Sequence, residues 1–208
     1  AQSLIENPYE NDENYKPMLE MALSRIRQLS AHEVGHTLGF THNFASSVNK
    51  RASVMDYPHP LIKLTDNKID LSDAYSTGIG EWDKVSVAYS YSHFNLENEK
   101  KGLESVLEKA NSKGLRFISD SDARAQDGAH VSAHLWDNGD DVITGLDEIF
   151  KIRENAILNF SEFNIKKGQT FSTLEDVFVP LYFMHRYQTE AVSKLIGGMD
   201  YNYATRGD

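Results

Sequence analysis

Apolar residues recur at three- and four-residue intervals through Met18, Leu19, Ala22, Leu23, Ile26, Leu29, Val34 and Leu38, the spacing of one stripe along an α-helix. Pro17 suits a first helical turn and Gly39 suits a helix end, so one long helix over residues 17–38 is predicted. The preceding stretch, Glu6 to Lys16, is polar and reads as an irregular lead-in. From Phe40 to Thr77 no single period holds, and the Asn, Ser and Pro content predicts loops and turns around Met55 and Tyr57-Pro58-His59-Pro60. Helical patterns return at Lys84 to Tyr91 and at Glu97 to Ser112, where Leu103, Val106 and Leu107 share a side ahead of Gly114. Leu115-Arg116-Phe117-Ile118 reads as a short strand, and Asp137 to Asp141 as a turn running into a helix start. Two further helices are predicted over 146–160 and 174–196, separated by the Gly168-Gln169 turn and with Ser172 as an N-cap candidate. The pattern is that of a mainly α chain without internal repeats.

Composition narrows the partners. The 208 residues are 40% hydrophobic, enough for one sizeable core or two small ones in a soluble, globular protein. No apolar run approaches the roughly 18–20 residues of a membrane span, and Ala1 to Tyr15 is not signal-like. A net charge of −10 without a dense Lys/Arg block argues against nucleic acid or an anionic membrane, leaving proteins, peptides or small molecules. The absence of cysteine removes disulfides, thiolate metal sites and a cysteine nucleophile together.

One segment carries chemistry: His32-Glu33-Val34-Gly35-His36-Thr37-Leu38-Gly39-Phe40-Thr41-His42. Residues four apart share a helix face, so His32 and His36 can turn imidazole nitrogens toward one ion at about 2.0–2.1 Å. Glu33 lies roughly 100° around the helix from His32, beside the ion, where a carboxylate serves as a base. Gly39 can adopt the left-handed backbone that reverses the chain and returns His42 to the site. Three neutral imidazoles leave the charge of Zn²⁺ uncompensated, so a water in the fourth position has its pKa drawn toward about 7. Coincidence of these five residues in a chain of ordinary composition is expected roughly once in ten thousand sequences or less.

Met55 stands thirteen residues after His42, within Ser53-Val54-Met55-Asp56-Tyr57-Pro58, and the two segments together resemble the metzincin clan of zinc metallopeptidases. Residues 31–60, with Asn43-Phe44-Ala45-Ser46-Ser47 and more weakly Ile79-Gly80-Glu81-Trp82-Asp83-Lys84, are most similar to the bacterial extracellular Met-zincin family. The resemblance implies Zn²⁺ held by His32, His36 and His42, Glu33 as general base, Met55 as an apolar floor beneath the histidines, and Tyr57 near the oxyanion. Read alone, Met55 is core filler and Tyr57 an aromatic packed on Pro58 and Pro60. The implied fold is a zinc-helix and Met-turn subdomain over 1–95 with an appended helical region over 96–208. In the clan a sheet subdomain precedes the zinc helix, and the short lead-in does not match one. The expectation is therefore a catalytic segment with little activity alone, extracellular, periplasmic or at the cell surface, acting on protein or peptide. The rival reading is a noncatalytic module in which zinc staples the helix to the Met-turn. Glu33 separates the two, since a structural zinc has no use for an adjacent base.

Other features read more simply as structure. His130 and His134 repeat the four-residue spacing without a third ligand, and Asp137, Asp140 and Asp141 lack the alternation of a calcium loop. Asn159-Phe160-Ser161 fits a glycosylation pattern inside a predicted helix, and Arg206-Gly207-Asp208 reads as an accidental chain end. Trp82, Tyr89, Tyr91 and Phe94 are expected to pack the post-turn helix on the zinc helix.

Overall fold

The predicted long helix forms as α1, Lys16–Thr37, with Pro17 in its first turn. In the computed structural model, which describes residues 1–11 and 16–206, its packing differs from what an apolar stripe leads one to expect. Residues 12–15 of the lead-in and the last two residues of Arg206-Gly207-Asp208 lie outside the described residues. Gln28, His32 and Gly35 are the buried positions of α1, whereas Leu19, Leu23, Ile26, Leu29 and Val34 are exposed. At 100° per residue those apolar side chains centre on the side opposite the buried one. Polar contacts to the loops fix the inward face, and a row of branched apolar side chains faces outward. Burial of each would contribute about 1.5–3 kcal/mol, so this face is a latent contact surface.

Three small cores join segments that are distant in sequence. Leu4 of the lead-in, Ile62, Leu71, Ile149, Ile152, Ala156, Leu181 and Met184 form one. Phe44, Ala45, Ile118, Ala123 and Ala133 form a second, with Tyr57 packed against it. Ala52, Ala110 and Leu115, with Trp82 and Val85, form the third. Around them run α2 (Glu81–Tyr91), α3 (Glu99–Ser112), the single turn α4 (Asp120–Ala123), α5 (Val142–Leu158), α6 (Thr173–Tyr182) and α7 (Arg186–Gly197). The fold is mainly α, as expected.

Four local readings are corrected. Residues 174–196 are two helices: the chain turns at Phe183, Met184 and His185, shortly after Pro180, which cannot donate a backbone bond, and the turn delivers Met184 into the first core. Ser172 stands at the start of α6 but makes no capping bond; Asp141 does cap α5, accepting from the backbone N–H groups of Ile143 (2.9 Å) and Thr144 (3.3 Å). Leu115 to Ile118 is not in a strand. Its backbone is paired by asparagine side chains in place of a neighbouring strand: Asn43 Nδ2 donates to Arg116 O (2.8 Å), Ile118 N–H donates to Asn43 Oδ1 (3.2 Å), and Arg116 N–H donates to Asn49 Oδ1 (3.3 Å). The one sheet among the described residues is instead a hairpin of β1 (Lys63–Thr65) and β2 (Lys68–Asp70), within the stretch expected to be loops. Its turn residues Asp66 and Asn67 have φ of 50° and 61°, the geometry of a two-residue hairpin loop that Asp and Asn tolerate.

Candidate metal centre

The end of α1 is built to bring a third histidine back. Gly39 has φ of +88°; its N–H donates to His36 O (2.9 Å) and the Phe40 N–H donates to Gly35 O (3.1 Å). This double closure satisfies the last carbonyls of the helix and needs a left-handed residue at Gly39. The chain then runs through Thr41 to His42. His32, His36 and His42 present nitrogens that lie within 4.8 Å of one another, the one such cluster found among the described residues.

Hydrogen bonding sets which nitrogen each ring presents. His32 Nδ1 lies 2.7 Å from Val54 O, His36 Nδ1 lies 2.8 Å from Phe40 O, and His42 Nδ1 lies 2.9 Å from both carboxylate oxygens of Asp120. Each acceptor is an oxygen, so each neutral ring carries its proton on Nδ1 and leaves a lone pair on Nε2. The Nε2 atoms of His32 and His36 then face each other at 3.1 Å, and that of His42 is buried without a hydrogen-bond partner. Converging lone pairs repel unless a cation lies between them, and tetrahedral coordination at about 2.05 Å spaces ligand nitrogens by roughly 3.3 Å. The donor set therefore fits a metal bound through three imidazoles. Burial lowers the pKa of His32, with the neighbouring His36 and His42 adding to the effect against Val54 O and Glu33, and this favours the neutral ring that ligation needs.

Against α1 at Gly35 lies Met55, 3% exposed. A methyl group added at Gly35 would lie 2.3 Å from Met55 Sδ, so the glycine inside the motif is what allows the methionine to seat against the helix. The turn is tied down from several sides. Asn43 N–H donates to Met55 O (2.9 Å), Ser53 Oγ donates to Asp83 Oδ1 (2.6 Å), and the Val54 and Gly80 N–H groups donate to Asp83 Oδ2 (2.9 and 2.6 Å). Gly80 is needed for that approach, because a Cβ there would meet Ala52 O at 2.0 Å. Gly35→Ala is expected to lose up to about 2 kcal/mol of unfolding free energy: a 2.3 Å contact puts overpacking toward the upper end of about 1–3 kcal/mol, above the roughly 1 kcal/mol gained in helix propensity. Chemical denaturation checks this, and an unchanged or raised midpoint contradicts the packing account.

Tyr57 joins the same centre. Its ring lies 4.7 Å from that of His42 and 5.4 Å from that of His32, stacks on Trp136 at 5.3 Å, and has the Arg124 guanidinium 5.7 Å from its centroid. It packs among the aromatic rings of the site. Glu33 is exposed on α1 beside His32. All six residues singled out from the sequence thus gather at one end of α1.

Several partners were invisible from spacing. Asp120, 78 positions from His42, has no sequence signal; its carboxyl stays below its usual range because the bonds and charge of His42, with Arg124 and Ser119, outweigh the raising effect of partial burial. Asp83 lay within the stretch that weakly supported the resemblance. The other candidates separate. His130 is fully buried, bonded to Tyr201 O (2.8 Å) and to the Ser132 N–H (3.1 Å), and forms no metal cluster with His134 among the described residues. Asp137 is buried under the Met-turn, accepting from Ser47 Oγ at 3.0 Å, while Asp141 caps α5. Tyr91 OH donates to Leu38 O (2.9 Å) and so does join α2 to the end of α1, but Trp82 stacks on Phe117 at 5.4 Å instead.

A cavity of about 470 Å³ lies behind the Met-turn, lined in part by Ser46, Ser53, Asp56 and Asp137 and by none of the three histidines. The metal centre itself opens to solvent at His36. No described helix is long and apolar enough to cross a membrane. No curated protein and no solved structure matches the chain. The family model described as Met-zincin matches residues 14–208, most of the lead-in aside, and the chain belongs to the Met-zincin family.

Proposed function

We propose that the chain is the catalytic segment of a zinc endopeptidase, with His32, His36 and His42 as the metal ligands and Glu33 as the general base. The observation that carries the reading is the set of three Nε2 lone pairs converging with no proton donor among them, next to an exposed carboxylate one helix position away. Zinc held by these three rings would supply Lewis acidity toward a carbonyl oxygen and toward water. The chain's own residues do the rest. Glu33 takes a proton from the attacking water onto a carboxylate oxygen and delivers it to the leaving amine nitrogen. Tyr57, held between Trp136 and His42, offers its hydroxyl to the charge that develops on the carbonyl oxygen. Val54 O, Phe40 O and Asp120 keep the three rings aimed. Met55 fills the space below them.

The peptide substrate and an extracellular or cell-surface location belong to the same proposal and rest on the family. The outward apolar face of α1 runs beside Glu33 and supports one more element of it: a wall packed there completes the cleft, so that this chain by itself turns over peptide slowly. Residues 1–95 carry the ligands, the base and the Met-turn in this reading, and residues 96–208 brace them.

Metal analysis after dialysis tests the ligand set. About one Zn²⁺ per chain is expected, and its loss in His36→Ala and in His42→Ala. Unchanged stoichiometry and affinity in the His42 variant contradict the coordination.

A further inference from the structure

We propose that Asp120 is a positioning residue for the metal centre, and that the C-terminal segment around Tyr201 and Tyr203 sets its placement, so that the far end of the chain tunes metal affinity. The inference rests on the reading of the three histidines as ligands, and goes beyond it in assigning work to residues 119–124 and 199–203.

Of the three oxygens that receive the Nδ1–H groups, two are backbone carbonyls and one is a charged side chain. Val54 O is fixed by the tied Met-turn and Phe40 O by the helix end. Asp120 must be fixed separately. Both of its oxygens lie 2.9 Å from His42 Nδ1, Arg124 Nη1 donates to Oδ1 at 3.2 Å, and Ser119 Oγ donates to Oδ2 at 3.3 Å. A carboxylate behind a ligating imidazole locks the tautomer and ring plane and raises the basicity of the opposite nitrogen, and losing such a partner typically costs 10–100-fold in metal affinity. His42 has the greatest need of it. It follows the left-handed turn at Gly39, outside the rigid helix, and no helical backbone dictates its ring angle.

Asp120 sits in the one-turn helix α4, too short to hold its own position. The C-terminal segment clasps it. Tyr201 OH donates to Asp122 Oδ1 and Tyr203 OH to Asp122 Oδ2, both at 2.5 Å, and the Ser119 N–H donates to Tyr203 OH at 3.0 Å. The bond to Asp122 pushes the Tyr201 phenol up to about 12, so it remains a donor throughout the physiological range. The segment is itself anchored: His130 Nε2 donates to Tyr201 O (2.8 Å), Val131 N–H to Met199 O (3.1 Å) and Met199 N–H to Ala129 O (2.8 Å), while Arg116 pairs with Asp200. A run of hydrogen bonds therefore leads from Tyr203 through Ser119 to Asp120 and His42, with Asp122 held by both tyrosines alongside.

The test uses the full chain with Zn²⁺ and Co²⁺ as probes. Wild type, Asp120→Asn, Asp120→Ala and the double variant Tyr201→Phe with Tyr203→Phe are compared for Zn²⁺ affinity against a competing chelator and for the visible absorption of bound Co²⁺. Asp120→Ala is expected to bind Zn²⁺ about 10–100-fold more weakly and to shift the Co²⁺ spectrum. Asp120→Asn keeps an acceptor without the charge and should weaken binding by a smaller factor, as should the tyrosine pair, which leaves every atom of the centre in place. Asp120→Asn is nearly isosteric, and decides the matter if the alanine variant fails to fold. Affinities within twofold of wild type and an unshifted spectrum in the Asp120→Asn and tyrosine variants overturn the proposal, reducing Asp120 to a partner for Arg124. A wild-type chain that binds no Zn²⁺ overturns the ligand reading instead, which the His36→Ala control identifies separately.

Discussion

Glu33→Gln is expected to retain its fold and about one Zn²⁺ per chain while losing roughly 10²–10⁴ in turnover, the usual contribution of a positioned general base. The amide copies the carboxylate in shape but cannot accept the proton of the attacking water. Glu33 is the residue to alter because it alone combines exposure with adjacency. It follows His32 on a rigid helix, and the other carboxylate at the centre, Asp120, has its oxygens engaged by His42, Arg124 and Ser119. Both an activated ester and an unstructured protein should be assayed, since the ester needs less help from a cleft wall and reports the proton transfer more directly. Wild-type turnover by Glu33→Gln on both substrates, with zinc retained, would return the base role to another group. The rival picture of a zinc-stapled binding module predicts a different outcome, zinc retained with no metal-dependent turnover in either protein.

What could be read from the chain was whatever a local repeat encodes. The four-residue spacing of His32 and His36, the glycine after the last helical turn and the methionine thirteen residues beyond His42 fix geometry through helix pitch and backbone conformation, and the structure gathers those residues at one end of α1. Features that depend on meetings between distant segments left no local trace. Asp120 reaches His42 from just beyond the 116–118 segment, which Asn43 holds as a surrogate strand, and asparagine side chains carry no β periodicity. Asp83 stands just before the predicted helix at Lys84 and falls in the first turn of α2, with its carboxylate spent on Ser53, Val54 and Gly80. Apolar periodicity located α1 but does not mark its inner face, because the inward contacts are polar: Gln28 donates to Val54 O at 3.3 Å and His32 bonds the same carbonyl. The break after Pro180 had a visible signal, as did the Asp66-Asn67 hairpin turn. Both were outweighed by longer patterns around them.

Asp137→Asn is expected to stabilise the protein above neutral pH, by a margin that grows between about pH 4 and pH 7 and then levels off. Asp56 and Asp137 are both buried behind the Met-turn. Asp56 accepts from Ser46 Oγ (2.7 Å) and the Tyr57 N–H (2.7 Å), and Asp137 Oδ2 accepts from Ser47 Oγ (3.0 Å), but Asp137 Oδ1 is buried with no partner. Burial raises Asp137 to about 7, and burial together with the charge of Asp137 raises Asp56 well above its usual range. A carboxyl whose folded pKa exceeds its unfolded value stays protonated in the fold while the unfolded chain ionises, so stability falls as pH rises through that interval. At about 1.4 kcal/mol per unit the cost for Asp137 is on the order of 2–4 kcal/mol by neutral pH. The wild-type profile alone would hide it. His32, His59 and His134 have lowered values, that of His134 to about 4 with burial the main cause; they stay neutral in the fold while the unfolded chain charges, which makes stability rise with pH below about 6.5. Their slope opposes that of the carboxyl pair. Subtracting the wild-type curve from the Asp137→Asn curve cancels the histidines and leaves the carboxyl contribution. Urea unfolding at closely spaced pH values from 4 to 8 measures that difference. A constant difference across the range, or a variant less stable than wild type at pH 8, means that the pair is ionised and compensated in the fold, and the buried neutral acid is then the wrong description of what lies under the Met-turn.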